Sequence, residues 1–111
     1  MTATANGPEI VFALYRPHPG KADELRKIVR DHVPALQRLE LATPRAPIAC
    51  AAQDGTIIEI FEWADGEAAD RAHEHPEVAM IWEKIGAVAD FSTLDDLPES
   101  KRPFSHFRPL A

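Results

Sequence analysis

The chain has 111 residues, 45% of them hydrophobic and 27% charged, which is typical of one globular domain and excludes a protein that is disordered as a whole. Its formal net charge of -6 repels nucleic acid and anionic membranes, so we expect neither as a partner. Cys50 is the only cysteine, which excludes an internal disulfide, and its apolar neighbours favour a buried, inert thiol.

The first eight residues are small and polar and are expected to form a flexible arm before a single domain over residues 9–111. They have neither the basic region nor the apolar core of a signal peptide. No apolar run approaches the roughly 20 residues of a membrane span. We therefore expect a cytoplasmic location.

The first predicted strand, Glu9 to Arg16, is apolar on both faces, since alternate side chains point to opposite sides. A helix is predicted from about Lys21, where apolar residues recur at helical spacing as far as Leu39. Pro34 removes a backbone hydrogen bond and predicts a kink or restart near His32.

A hairpin follows, in which the strands Ile48 to Gln53 and Thr56 to Trp63 flank the turn signal Asp54-Gly55. The next helical segment, Glu67 to Glu74, stops at a break and restarts at Pro76, which suits a first helical position.

A polar loop, Ser92 to Pro103, and a last strand, Phe104 to Leu110, complete the order β-α-β-β-α-β. This order predicts an α+β, ferredoxin-like fold, with a four-stranded antiparallel sheet and two helices on one face. Because the other face is also apolar, we expect a second copy to cover it in a two-fold homodimer.

The chain resembles the dimeric α+β barrel superfamily, and within it the antibiotic biosynthesis monooxygenase type of domain. The resemblance rests on the strand Glu9 to Arg16, the turn Asp54-Gly55, the strand end Phe61-Glu62-Trp63, and the segment from Ala72 to Trp82. It implies a homodimer with a pocket in each subunit between sheet and helices. Members include cofactor-free monooxygenases of polycyclic phenols and haem-degrading enzymes. The latter use an Asn, Trp and His set, whereas the only asparagine here, Asn6, precedes the first strand.

His73 and His32 are the candidate catalytic residues, because imidazole exchanges protons near neutral pH. His73 continues the small-residue face formed by Ala69 and Ala72, whereas His32 lies on the apolar stripe of the first helix. A buried His32 that hydrogen-bonds a backbone carbonyl is the competing interpretation. For His73, capping or surface roles remain open.

The candidate substrate-binding residues are Trp82, Trp63, Tyr15 and His75. The two indoles could form a flat wall for an aromatic ligand, or could be core or interface residues. Tyr15 could orient a phenol or pack at a rim, and His75 could bind substrate or cap a helix.

Glu59 and His106 are both predicted on strands, where they could pair if they share a face. Exposed positions for both are the favoured interpretation. We predict no metal site, because no histidine spacing matches a known ligand motif.

The sequence lacks a glycine-rich phosphate loop, a Gly-x-Ser-x-Gly elbow and a dinucleotide fingerprint, which argues against a flavin or nicotinamide held by a Rossmann motif. We expect no cofactor, with a cofactor held by an unfamiliar pocket as the alternative. The leading hypothesis is a small-molecule enzyme, a cofactor-independent monooxygenase of phenols or quinols. A non-catalytic ligand-binding module is the first alternative. The second is a structural dimer whose pocket is filled by its own side chains.

Overall fold

The computed structural model describes residues 7–110, so most of the predicted N-terminal arm lies outside the described residues. Its regular elements, in chain order, are β1 (Glu9–Pro17), α1 (Ala22–Arg38), β2 (Ile48–Ala51), β3 (Ile57–Trp63), α2 (Ala68–Glu74), α3 (Pro76–Val88), β4 (Ala89–Ser92) and β5 (Arg108–Pro109). None of the helices in this range has the length and apolar character needed to cross a membrane.

The strands form one antiparallel sheet in the order β4-β1-β3-β2-β5. The first four strands of this order have the ferredoxin-like arrangement, so the predicted fold class is confirmed, with a fifth strand added at the β2 edge. Within β3 the residues are β-branched or aromatic at most positions, which suits a central strand.

The predicted position of the fourth strand is wrong. The chain passes directly from α3 into β4, because Ala89 adopts extended dihedral angles of φ -154° and ψ 159° at the helix end. The segment Phe104 to Leu110, predicted as that strand, instead contributes only the two residues of β5 at the opposite edge. Two short 3₁₀ helices, Leu94–Asp96 and Pro98–Lys101, occupy the predicted loop between them.

The helices differ in how they accommodate proline. α1 does not restart at His32, because Pro34 stays inside one continuous helix held by a buried apolar stripe that includes Leu25, Val29 and Leu36. The second helical region does break as predicted, and α3 begins at Pro76. There the fixed φ of proline suits the first helical turn and its missing N–H costs nothing.

The helices cover the inner face of the sheet, and the outer face is covered in part only. Leu97 and Phe107 of the C-terminal tail pack over Leu14, Cys50 and Ile58. The Cys50 thiol is buried as predicted, and burial raises its pKa, which favours the unreactive protonated form.

The remaining part of the outer face is an exposed apolar strip formed by Ile10, Phe12 and Ile48, which are 53%, 47% and 59% exposed. The register places these side chains on the same face, since Phe12 and Ile48 both lie opposite Ile60 of β3.

Candidate active-site cleft

A cleft of about 410 Å³ lies between the inner face of the sheet and the helices. It reaches the edge of β1, because β4 pairs only with the end of that strand, from Leu14 to Pro17. The cleft is lined mainly by aromatic and apolar side chains, as small-molecule sites commonly are. Five of the six predicted site residues line it: Tyr15, His32, Trp63, His73 and Trp82.

A chain of hydrogen bonds runs through the core behind the cleft. The Trp82 indole N–H donates to His32 Nε2 over 2.9 Å, and His32 Nδ1 lies 2.7 Å from Glu59 Oε1. The Tyr15 hydroxyl donates to the same carboxylate oxygen over 2.9 Å. Tyr15, His32 and Glu59 are each at most 3% exposed. Four side chains from two strands and two helices therefore form one buried polar network.

The donors in this network determine the protonation of His32. An indole nitrogen can only donate, so His32 Nε2 must present its lone pair to Trp82. The proton of the neutral imidazole is then on Nδ1, from which it is donated to Glu59. With both ring nitrogens bonded internally, His32 has no free lone pair with which to take a proton from a ligand.

Glu59 occupies the centre of the inner face because its neighbours there are small. Ala13 of β1 and Ala49 of β2 lie directly opposite it on either side. The favoured exposed position is wrong for Glu59, which is buried and bonded to Tyr15 and His32, and the alternative pairing with His106 does not form. His106 is exposed and outside the strands. The available signal was a carboxylate in the middle of an apolar strand.

Tyr15 is held as a neutral phenol. Burial, the charge of Glu59 and the hydrogen bond to that carboxylate, in that order, raise the pKa of Tyr15 well above its ordinary value. Its ring also contacts Phe91 edge-on, with the ring centroids 5.9 Å apart. Tyr15 is therefore a fixed hydrogen-bond donor at the base of the cleft and not a source of phenolate.

His73 is the histidine of the cleft whose ring nitrogens accept and donate no hydrogen bond within residues 7–110. It lies on α2, is exposed, and packs edge-on against Trp82 with the ring centroids 4.7 Å apart. Trp82 thus touches both histidines, His32 through its N–H and His73 through its ring. The imidazole of His73 is available to a ligand, whereas that of His32 is not.

The other two predicted binding residues lie in different surroundings. Trp63 is 8% exposed, lines the cleft, and packs against Phe61 with the ring centroids 4.9 Å apart. His75 is not among the residues that line the cleft. Its Nδ1 accepts a hydrogen bond from the Glu77 N–H over 3.2 Å and so caps the N-terminus of α3.

The cleft offers no set of ligands for a metal ion. Within the part of the chain that the structure describes, no three histidine, cysteine or carboxylate side chains converge.

Comparisons with known proteins support the fold. The sequence matches no model of a protein family and no curated protein. The structure is similar to a crystal structure described as a "Putative antibiotic biosynthesis monooxygenase from Bacteriodes thetaiotaomicron VPI-5482", with a TM-score of 0.62 and 14% sequence identity. The match covers 86% of this chain and 96% of that one. The predicted resemblance to this type of domain is therefore confirmed at the level of the fold.

Proposed function

We propose that the cleft binds a planar phenol or quinol and that the protein is a cofactor-independent monooxygenase. The observation that carries this proposal is one free imidazole, His73, on the wall of a cleft otherwise lined mainly by aromatic and apolar groups. An aromatic substrate fits between indole and phenyl rings, and the imidazole is the group that can remove its phenolic proton.

The proposed reaction needs no external reductant. His73 takes the phenolic proton, and the electron-rich anion gives electrons to O₂ as a carbon–oxygen bond forms. A ring carbon that carries hydrogen becomes C=O as the phenol becomes a quinone. One oxygen atom of O₂ enters the product, and the other leaves as water with the ring hydrogen and the phenolic hydrogen. The apolar walls exclude bulk water from the anion. The fold similarity to a structure named as a monooxygenase supports the proposal as an analogy.

In this proposal the buried network is a positioning device. His32 fixes Trp82 through the indole N–H, and the Trp82 ring supports His73 from the side. Replacing His32 would therefore lower turnover through the placement of Trp82 and not through loss of a base.

The test is oxygen uptake in the presence of polycyclic phenols and quinols, selected first by the rise in melting temperature that they cause. For His73→Ala we expect kcat to fall by about 10²–10⁴-fold, as for loss of a general base. His106→Ala, an exposed histidine outside the cleft, is the matched control and should keep full activity. Unchanged turnover of His73→Ala would contradict the proposal.

A non-catalytic ligand-binding module is the second candidate. It is favoured because the polar groups of Tyr15 and His32 already form hydrogen bonds with Glu59 and Trp82, which leaves neither side chain free to react with a substrate. This candidate predicts that aromatic compounds raise the melting temperature while no oxygen is consumed with any of them.

The proposal includes a homodimer formed through the exposed apolar strip of Ile10, Phe12 and Ile48. Large apolar residues clustered on one sheet face are typical of an association surface. Because Phe12 also lines the cleft, a second copy seated on this strip would border the mouth of the cleft.

A further inference from the structure

A second cavity of about 420 Å³ lies on the other side of Glu59, between α1 and β2. We call it the α1–β2 cavity, and its lining includes Arg26, Arg30, Ala49 and Glu59. The row Ala13–Glu59–Ala49 explains why both cavities exist. Each alanine leaves space beside the carboxylate, with Ala13 lining the cleft and Ala49 the α1–β2 cavity.

The two carboxylate oxygens of Glu59 differ in their hydrogen bonding. Oε1 accepts from both Tyr15 and His32, whereas Oε2 accepts no hydrogen bond within residues 7–110. In this range the fully enclosed side-chain oxygens that lack a partner are Thr56 Oγ1 and Glu99 Oε1. Oε2 of Glu59 is not one of them, so it is not fully enclosed by protein atoms. An oxygen of a buried carboxylate is therefore left to accept a hydrogen bond from the α1–β2 cavity.

The lining of the α1–β2 cavity also includes two exposed cations, whereas Glu59 is buried. Arg26 and Arg30 lie one helical turn apart on α1 and are exposed. Within residues 7–110 neither forms an ion pair, whereas Arg38, Arg45 and Arg71 each pair with a carboxylate. Two adjacent guanidinium groups are suited to a carboxylate or another small anion.

The rest of the lining is largely apolar and includes Val29, Val33, Pro34, Pro47 and Ile57. Pro34 has no N–H, so the carbonyl of Arg30 also lacks its usual helical donor and adds an acceptor beside this wall. The α1–β2 cavity therefore combines a buried acceptor, apolar walls and two exposed cations.

We propose that the α1–β2 cavity is a second small-molecule site that binds a hydroxy acid. The hydroxyl group donates to Glu59 Oε2, the apolar body packs on the valine and proline wall, and the carboxylate lies between Arg26 and Arg30. This site is separate from the cleft and does not depend on the monooxygenase proposal. The shared carboxylate of Glu59 connects the two, since its other oxygen holds Tyr15 and His32.

The first experiment compares three probes by ligand-observed NMR titration of the full chain. The probes are omega-hydroxyhexanoate, hexanoate, which lacks the hydroxyl group, and hexanol, which lacks the carboxylate. We expect omega-hydroxyhexanoate to bind at least about tenfold more tightly than either analogue, as for loss of one hydrogen bond to a charged group. Equal binding of hexanoate would overturn the role of Glu59, and equal binding of hexanol that of the arginines.

The second experiment locates the site with paired variants. Ala49→Leu fills the α1–β2 cavity and should abolish binding of omega-hydroxyhexanoate, whereas Ala13→Leu fills the cleft and should leave it unchanged. Arg30→Gln avoids the core altogether, so it tests the site even if Ala49→Leu is unstable. We expect Arg30→Gln to weaken binding about two- to fivefold, as for loss of an exposed ion pair. The control is Lys27→Gln, which removes a positive charge from the same helix outside the cavity and should leave binding unchanged. Loss of binding in Ala13→Leu alone would place the ligand in the cleft and overturn the proposal.

Discussion

The two faces of the sheet depart from ordinary patterning in opposite directions. The inner face, where an apolar core is expected, carries the carboxylate of Glu59 with Tyr15 and His32 bonded to it. The outer face, where polar groups are expected to meet water, exposes Ile10 and Ile48. Such local departures are where function is expected, because folding stability alone would favour neither. The inner departure points to a ligand and the outer one to another protein surface.

The largest expected effect comes from breaking the inner network. Glu59→Ala leaves the Tyr15 hydroxyl and the His32 Nδ1–H without an acceptor, which should lower the free energy of unfolding by roughly 2–6 kcal/mol. Urea denaturation measures this. The control is Glu62→Ala, three residues along β3 on the outer face, which pairs with the exposed Arg45, accepts from the Thr43 hydroxyl and should cost about 1–2 kcal/mol. Equal losses for the two variants would contradict the assigned importance of the network.

The outer face is tested by Ile48→Glu. If the exposed apolar strip joins two copies, a charge there should weaken the dimer by roughly a hundredfold or more, measured by sedimentation. Met80→Glu is the matched control, because Met80 is 58% exposed but lies on α3. A wild-type chain that sediments as a monomer at micromolar concentration would show that the exposed apolar strip does not join two copies.

A smaller effect is expected from the pH dependence of Tyr15. Its folded pKa is raised, so the stability that this phenol contributes is fully present below pH of about 10 and is lost as pH rises through the folded pKa. Because Tyr15 is the single tyrosine, phenolate absorbance reports it alone. In Glu59→Gln we expect its titration at lower pH than in wild type, yet still above the ordinary value, since burial is the larger cause. An unchanged titration would contradict the contribution of Glu59.

The smallest effect concerns His75, which lies between α2 and α3 and outside the network. His75→Ala removes the cap on the Glu77 N–H and should cost about 0.5–1 kcal/mol of stability, measured by thermal unfolding. A loss as large as that of Glu59→Ala would show that His75 takes part in more than capping.

Local signals were sufficient for much of the fold. The break at Pro76 and the turn at Asp54-Gly55 are encoded by single residues with strong backbone preferences, and both elements were predicted. β4 was missed because Val88 and Ala89 continue the helical stripe, and neither glycine nor proline separates helix from strand. Four residues of strand give no period of their own.

The sequence predicts most residues of the candidate site but not the hydrogen bonds between them. His73, Trp82 and Trp63 were identified from their residue types, and the structure brings them to one cleft. The bond between His32 and Glu59 joins residues 27 positions apart, and no local pattern encodes it. Tertiary structure alone therefore determines that the imidazole of His32 is hydrogen-bonded on both nitrogens while that of His73 is free to contact a ligand.

The imidazole nitrogen NMR spectrum of the ¹⁵N-labelled protein at neutral pH shows whether His32 is held by Trp82 and Glu59 while His73 is free. We expect His32 to be neutral, with its proton on Nδ1 and a bare Nε2 that accepts from Trp82. A His32 ring protonated on Nε2, or on both nitrogens, would contradict it. In that case the indole would have no acceptor, and His32 would again be a candidate for the base of the cleft.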